Sequence, residues 1–432
     1  MDLLSINTLV LSFVILLVIG MPISFAIGIS TVLTMLMSIK TLPALTTVAQ
    51  QMATGLDSFS LLAIPFFILS GLMMNSGGIA RRLIDFAKAL VGSFHGGLAF
   101  VNILACMLFG AISGSAVAAA AAIGAFLIPL MVREGYNREF SAAVNITAST
   151  TGLLIPPSNI LIVYSLASGG ASIAALFLAG YLPGILVGGA LMVIAAFHAR
   201  KHGYPVGEKV GPREMLRRFL NALPSLFLLY VVIGGIVAGV FTATEASAIA
   251  VLYTFVLSVI IYREIKLRDL PKILLDSVST TAIVMLLIGV SIGMSWIMSY
   301  QNIPQTISAT LIGLTDNKII ILLIINAILL FVGTFMDMTP AVLIFTPIFL
   351  PVAAELGMDP VHFGIVMVLN LCIGLCTPPV GSVLFVGASV AKTDVVKVIK
   401  PLMPMFIVMV IALILVTYIP ELSLWVPALF GY

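Results

Sequence analysis

The chain has 432 residues, 61% hydrophobic and only 9% charged, with a formal net charge of +3 and a mean hydropathy of +1.24. Soluble globular domains carry about 25% charged residues, so these values exclude an ordinary soluble protein and leave a polytopic membrane protein. Cys106, Cys372 and Cys376 all fall inside apolar runs and offer no disulfide framework; Cys372 and Cys376, with no His or acid beside them, read as small packing residues.

A membrane-spanning helix needs about 20 apolar residues. Apolar runs occur at 8–38, 58–75, 98–131, 140–196, 219–262, 278–300, 319–353, 361–391 and 402–430, and several could hold two passes. The first has no basic region ahead of it and no clear cleavage site, so it is expected to remain as a helix rather than to be removed as a signal peptide. In chain order the first half offers helices at 8–22 and 23–38, an amphipathic connector at 43–55, a helix at 58–75 and a polar arm at 79–93. A basic stretch from His198 to Arg218 divides the chain, so that the halves are 1–197 and 219–432 with a linker at 198–218. After it come helices at 219–240 and 243–262, a connector at 264–276, a helix at 278–300 and an arm at 303–316.

Each arm leads into an apolar run broken in its middle, at about 97–134 by Gly110, Ser113, Gly114 and Ser115, and at about 318–356 by Gly333, Thr334, Asp337, Thr339 and Pro340. Arms of about 12–16 apolar residues fall short of a crossing, so each run reads as a re-entrant helical hairpin. A helix broken by Gly and Pro-Pro follows, at about 138–168 and 360–391, and then one more helix, at 174–196 or 402–418. The breaks match: Gly152 and Gly374, Pro156 and Pro378, and Pro157 and Pro379 each stand 222 residues apart. Broken backbone at membrane depth is tolerated only where protein buries it or it lines a cavity, so a matched pair of breaks points to a binding site.

With hairpins that do not cross, each half makes five passes and the second is inverted relative to the first. Placing the N-terminus outside puts eighteen of the twenty Lys and Arg residues on the cytoplasmic side, leaving only Lys40 and Lys318 outside. The expected fold is therefore an all-α membrane protein built as an inverted repeat of two five-helix halves, each with a re-entrant hairpin and a broken helix.

A hairpin tip meeting a helix break gathers unpaired carbonyls and hydroxyls, hard oxygen ligands suited to a small cation. The first set is Ser113 and Ser115 with Gly152, Ile155 and Pro157; the second is Gly333, Asp337 and Thr339 with Gly374, Thr377 and Pro379. A single carboxylate between the two sets favours sodium over calcium, which usually gathers several. Asp337 has three readings: sodium ligand, proton carrier, or cap of the hairpin's second arm. Ser158, Asn159 and Asn370 stand near the breaks as substrate-region candidates, with satisfied buried amides as the alternative for the two Asn. No catalytic constellation occurs: the four His are scattered, no HExxH, P-loop or GxSxG is present, and no soluble stretch could house a nucleotide domain.

The runs GAISGSAVAAAAAIGAFLIPLMVREGY, STTGLLIPPSN, GTFMDMTPAVLIFTPIFLPVAAELGMDPVHFG and GLCTPPVGSVLFVG resemble the large membrane subunit of tripartite ATP-independent periplasmic (TRAP) transporters, and the similarity covers almost the whole chain. The resemblance implies sodium-coupled uptake of an organic acid, such as sialic acid, a C4-dicarboxylate or a sugar acid, across a bacterial inner membrane. It also implies a small four-helix membrane subunit and a periplasmic substrate-binding protein as partners, with no nucleic acid. The fold it implies is related to divalent-anion/sodium symporters and works as an elevator. Carried over, the family's sodium sites fall on the same two residue sets. The alternative is a sodium or proton symporter that works alone, and a channel would need a continuous polar stripe that the hairpins interrupt.

Overall fold

The computed structural model describes residues 3–207, 210–315 and 317–432. Lys209 of the linker and Asp316 at the end of the second arm lie outside the described residues, as do Met1, Asp2 and Glu208. Within them the fold is all-helical. Along the first half run α1 (Leu3–Val18), α2 (Ile23–Ser38), α3 (Thr41–Leu56), α4 (Ala63–Ser76), α5 (Ile79–Val91), α6 (Gly97–Ser113), α7 (Ala116–Arg133), α8 (Arg138–Thr151), α9 (Asn159–Ala167) and α10 (Ile173–His202). The second half continues with α11 (Pro212–Val237), α12 (Ala243–Phe255), α13 (Leu270–Tyr300), α14 (Ile303–Leu314), α15 (Lys318–Phe335), α16 (Met338–Glu355), α17 (Pro360–Leu375), α18 (Ser382–Val390), α19 (Val395–Tyr418) and α20 (Glu421–Leu429).

Local chemistry explains where these helices start and stop. α5 is amphipathic: Ile79, Ala80, Leu83, Ile84 and Ala87 are buried at helical spacing, while Arg81 and Asp85 turn outward. Asn137 caps α8 by accepting the Phe140 amide at 2.8 Å, and Thr242 and Glu245 close a capping box on α12. Pro156, Pro157, Pro378 and Pro379 lack the N–H a helix needs, so α8 and α17 stop before them and α9 and α18 restart after them.

Three boundaries differ from the expected ones. The connector at 264–276 and the helix at 278–300 are largely one element, the 31-residue α13, because no Gly or Pro separates them after Pro271 at its first turn; in the first half Asp57 and Ser58 keep α3 apart from α4. The linker is shorter, since α10 runs to His202, where Gly203 at φ 63° ends it, and Pro212 starts α11. The hairpin arms are also longer than 12–16 residues. α6 has 17 residues and α7, α15 and α16 have 18 each, because the helices run on into charged ends such as Arg133, Lys318 and Glu355. By length and composition α7, α15 and α16 could each cross a membrane, so arm length alone does not identify a re-entrant hairpin. α20 has no counterpart in the first half and packs on α10 and α17.

The two broken helices form the centre. Phe140–Thr151 of α8 and His362–Leu375 of α17 are buried without interruption. The Ser and Thr hydroxyls of α8 return to its own carbonyls, as Thr147 does to Ala143 at 2.9 Å and Ser149 to Ile146 at 2.8 Å, which lets a polar helix sit in an apolar interior. α8 and α17 touch where the Cys372 thiol donates to the Thr150 carbonyl at 3.3 Å, two positions 222 residues apart. Around them pack α6 and α7 from the first half and α15 and α16 from the second, and the short helices cross over: α9 packs on α16 and α18 on α7. Tyr164 of α9 reinforces this exchange by donating to the Pro360 carbonyl at 2.6 Å.

Candidate functional site

Both turns of the helix pairs α6–α7 and α15–α16 reach the breaks through glycine. A Cβ on Gly110 of α6 would stand 2.8 Å from the Cα of Gly152, and one on Gly374 would stand 2.6 Å from the Cα and carbonyl carbon of Gly333. These distances are far inside ordinary carbon contact, so any side chain at those positions would separate turn from break. The matched glycines found at the breaks thus have glycine partners in the turns.

In the first turn Ser113 ends α6, Gly114 takes the left-handed conformation at φ 63°, and Ser115 caps α7 by accepting the Ala118 amide at 3.2 Å. The Ser113 hydroxyl lies 3.5 Å from the Ser115 carbonyl. Asn159, the first residue of α9, sits so close to this turn that a Cβ on Gly114 would meet its Nδ2 at 2.9 Å. In the second turn Asp337 occupies the capping position of α16, yet its side chain makes no capping hydrogen bond. The cap reading of Asp337 therefore lacks its hydrogen bond.

One cavity of about 310 Å³ joins the two turns. Ser113, Gly114 and Ser115 line it from one side, Asp337, Met338 and Thr339 from the other, with Asn159 of α9 between. Asn75 of α4 and Thr280 of α13 also line it. Neither was singled out in the sequence; the signal available was a polar residue near the end of an otherwise apolar run. The remaining candidates do not line this cavity. Ser158 is buried and donates to the Leu153 carbonyl at 2.5 Å, Ile155 packs toward Gly184 of α10, and Pro157 lines a smaller cavity with Phe67 and Ile112. Asn370 is buried in α17, its amide donating to the Asn326 carbonyl at 2.8 Å and to the Asn326 side-chain oxygen at 2.9 Å, which ties α17 to α15.

Among the described residues, no hydrogen bond reaches the carbonyls of Gly152, Ile155 or Pro157 in the first break, or those of Gly333, Thr377 or Pro379 in the second set. The Gly374 carbonyl accepts the Thr377 amide at 2.9 Å, and the Thr377 hydroxyl donates to Ile373 at 2.6 Å. Unpaired carbonyls beside the end of a helix, where the partial charge is negative, are suited to a cation. The restart of α9 presents amide groups and a partial positive charge, suited to an anion. The start of α9 borders the central cavity, whose lining holds no Lys or Arg, while the unpaired carbonyls belong to residues outside that lining.

Comparison with known proteins assigns the chain. Residues 10–422 match the profile described as "Tripartite ATP-independent periplasmic transporter, DctM component". The chain is 41% identical to the C4-dicarboxylate TRAP transporter large permease protein DctM of Rhodobacter capsulatus, over 95% of this chain and 96% of that protein. It is 39% identical to the sialic acid TRAP transporter large permease protein SiaM of Vibrio cholerae, over 96% of each, and 58% identical to the protein YgiK of Salmonella typhimurium, over 97% of this chain and 96% of that one. Among solved structures, the Alcanivorax borkumensis YdaH transporter shares the fold at a TM-score of 0.64 and 14% identity, covering 90% of this chain and 89% of that one. The chain is a multi-pass membrane protein that belongs to the tripartite ATP-independent periplasmic transporter family, as a large permease and not an enzyme.

Proposed function

We propose that this permease imports an organic acid across the bacterial inner membrane, driven by sodium and supplied by a periplasmic binding protein. The observation that carries the reading is the shared cavity: both helix turns line one space, with Ser113, Ser115, Asn159, Asp337 and Thr339 on its wall, and each turn is packed through glycine against a helix break that leaves carbonyls unpaired. Sodium held by the turn-and-break carbonyls would supply the positive charge that the wall lacks, and the α9 N-terminus would meet a carboxylate. Relatives named for C4-dicarboxylates, sialic acid and 2,3-diketo-L-gulonate support an organic acid as the class.

In this reading α6–α7 and α15–α16 are re-entrant hairpins opening to opposite faces. Supporting this, the α6–α7 turn abuts the middle of the α8–α9 broken helix, and the α15–α16 turn abuts that of α17–α18, rather than their ends. The halves 1–197 and 219–432 are inverted repeats with the N-terminus periplasmic, and the hairpins with the broken helices move as one body against α1–α5 and α11–α14. Gly71 of α4 lies so near the first turn that a Cβ there would be 2.8 Å from the Ser113 carbonyl, a bare surface suited to sliding. A small four-helix membrane subunit completes the scaffold.

Reconstitution tests this reading. The chain with its small subunit and binding protein should take up the binding protein's ligand only when sodium is supplied; uptake by the lone chain, or uptake indifferent to sodium, would refute it.

A further inference from the structure

A second cavity, of about 450 Å³, lies on the same seam as the central one, between α3, the end of α9, α13 and α16. Its polar lining is Gln51, Thr54, Ser58, Ser291, Ser295 and Ser299, with no Asp, Glu, Lys or Arg. The three serines recur every four residues and so share one face of α13. Their burial is graded, Ser291 buried, Ser295 half-buried and Ser299 exposed, so the cavity opens toward the C-terminal end of α13. Ser291 is 2% exposed, lines the cavity, and its hydroxyl has no hydrogen-bond partner. A buried hydroxyl without a partner costs stability unless water or a ligand meets it.

The two cavities are neighbours. Along α9 the lining passes from Val163 in the central cavity to Leu166 in the second, and along α16 from Thr339 to Leu343, about one turn in each case. Along α13 it passes from Val284 to Ser291, and the side chains of that face in between, Leu287 and Ile288, are buried at 8% and 0% exposure. A single apolar layer separates them.

We propose that the serine-lined cavity is the entrance chamber for the transported solute, a waiting site for a hydroxyl- and carboxylate-bearing molecule on the periplasmic side, closed from the central site by Leu287, Ile288 and Leu343. Its size falls within the range of small-molecule pockets of about 300–1,000 Å³. An uncharged wall of hydroxyls and one amide receives an anion through hydrogen bonds without holding it tightly, which suits a site that must pass its occupant on. The proposal rests on the periplasmic N-terminus proposed above, which by the count of passes puts the C-terminal end of α13 on the periplasmic side as well.

Cysteine labelling tests it without knowledge of the substrate. The native Cys106, Cys372 and Cys376 are buried, so single Ser291→Cys, Ser295→Cys, Ser299→Cys and Ile288→Cys variants of the full chain can be read against a quiet background. In intact spheroplasts, an impermeant anionic methanethiosulfonate should label Ser299→Cys and Ser295→Cys readily, Ser291→Cys more slowly and Ile288→Cys not at all. Labelling after denaturation verifies that each thiol is present. Relative to a free thiol, anionic and cationic reagents should label Ser295→Cys within about tenfold of each other, since even one buried charge about 10 Å away would exceed that ratio. Failure of Ser295→Cys and Ser299→Cys to react from either face, or an anionic rate more than about tenfold below the cationic one, would overturn the chamber. Reaction only from the cytoplasmic face would overturn the entrance assignment through the orientation while leaving the cavity intact.

Discussion

Substituting Gly374 by Ala tests whether turn and break act together as a sodium site. The added methyl would stand 2.6 Å from the Gly333 Cα and carbonyl carbon and 2.8 Å from its carbonyl oxygen, against 3.4–4 Å for ordinary contact. Backbone cannot swing aside as a flexible side chain does, so the α15–α16 turn must withdraw from the break by about 1 Å, and overpacking of this kind costs about 1–3 kcal/mol. If the strain is relieved by parting the two carbonyl sets, the proposed second sodium site should weaken, and a tenfold loss of affinity corresponds to about 1.4 kcal/mol. The assay is the unfolding temperature of the purified protein in sodium against potassium. At sodium ten times the dissociation constant, one site stabilises by about 1.4 kcal/mol, and a tenfold weaker site by only about 0.4 kcal/mol. Gly364→Ala provides the control, because its methyl would stand 2.3 Å from the Tyr164 ring, a comparable overpacking outside the turn. It should lower stability in both salts while preserving their difference. An unchanged sodium-over-potassium difference in folded Gly374→Ala would refute the second site.

The other predictions use the same measurements. Asp337→Ala should change stability in potassium by under about 0.5 kcal/mol, because the carboxylate makes no capping bond, yet reduce the sodium-dependent shift; a loss above about 1 kcal/mol in potassium would restore the cap reading. Ser115→Ala removes the cap that holds the Ala118 amide and should cost about 1 kcal/mol by thermal unfolding, together with a weaker sodium shift from the first site. His362→Ala breaks contacts to the Ser423 hydroxyl and, at 3.3 Å, the Thr417 carbonyl, and should destabilise by about 1–3 kcal/mol without altering sodium dependence, since it anchors α20 and α19 rather than the cavity. A sodium effect in that variant would show that this network couples to the site.

Much of the site could be read from spacing. Gly, Pro-Pro and Ser breaks interrupt apolar runs that would otherwise continue, and each interruption is local chemistry: a missing N–H, a missing Cβ, a capping hydroxyl. That is why Ser113, Ser115, Asp337 and Thr339 were selected and why they stand on the cavity wall. Asn75 and Thr280, also on the wall, are not legible in this way, because a single polar residue near a helix end carries no periodic signal. Asn159 and Asn370 looked alike beside their breaks, but one stands on the cavity and the other is paired with Asn326, a distinction set by which helix packs against each.

Membrane class, helical content and the positions and matched spacing of the breaks are properties of the sequence itself, because apolar run length, residues that cannot continue a helix and a fixed offset of 222 residues are all written along the chain. Element lengths were less legible, since α13 continues through a polar stretch and the helices of each turn run into charged ends that composition assigns to water. Tertiary structure alone decided the pairings: Gly110 with Gly152, Gly333 with Gly374, α9 on α16 and α18 on α7. Those contacts join residues distant in sequence, and they depend on shape complementarity between surfaces rather than on any local preference. For that reason a single cavity shared by both turns emerged only when the chain was folded.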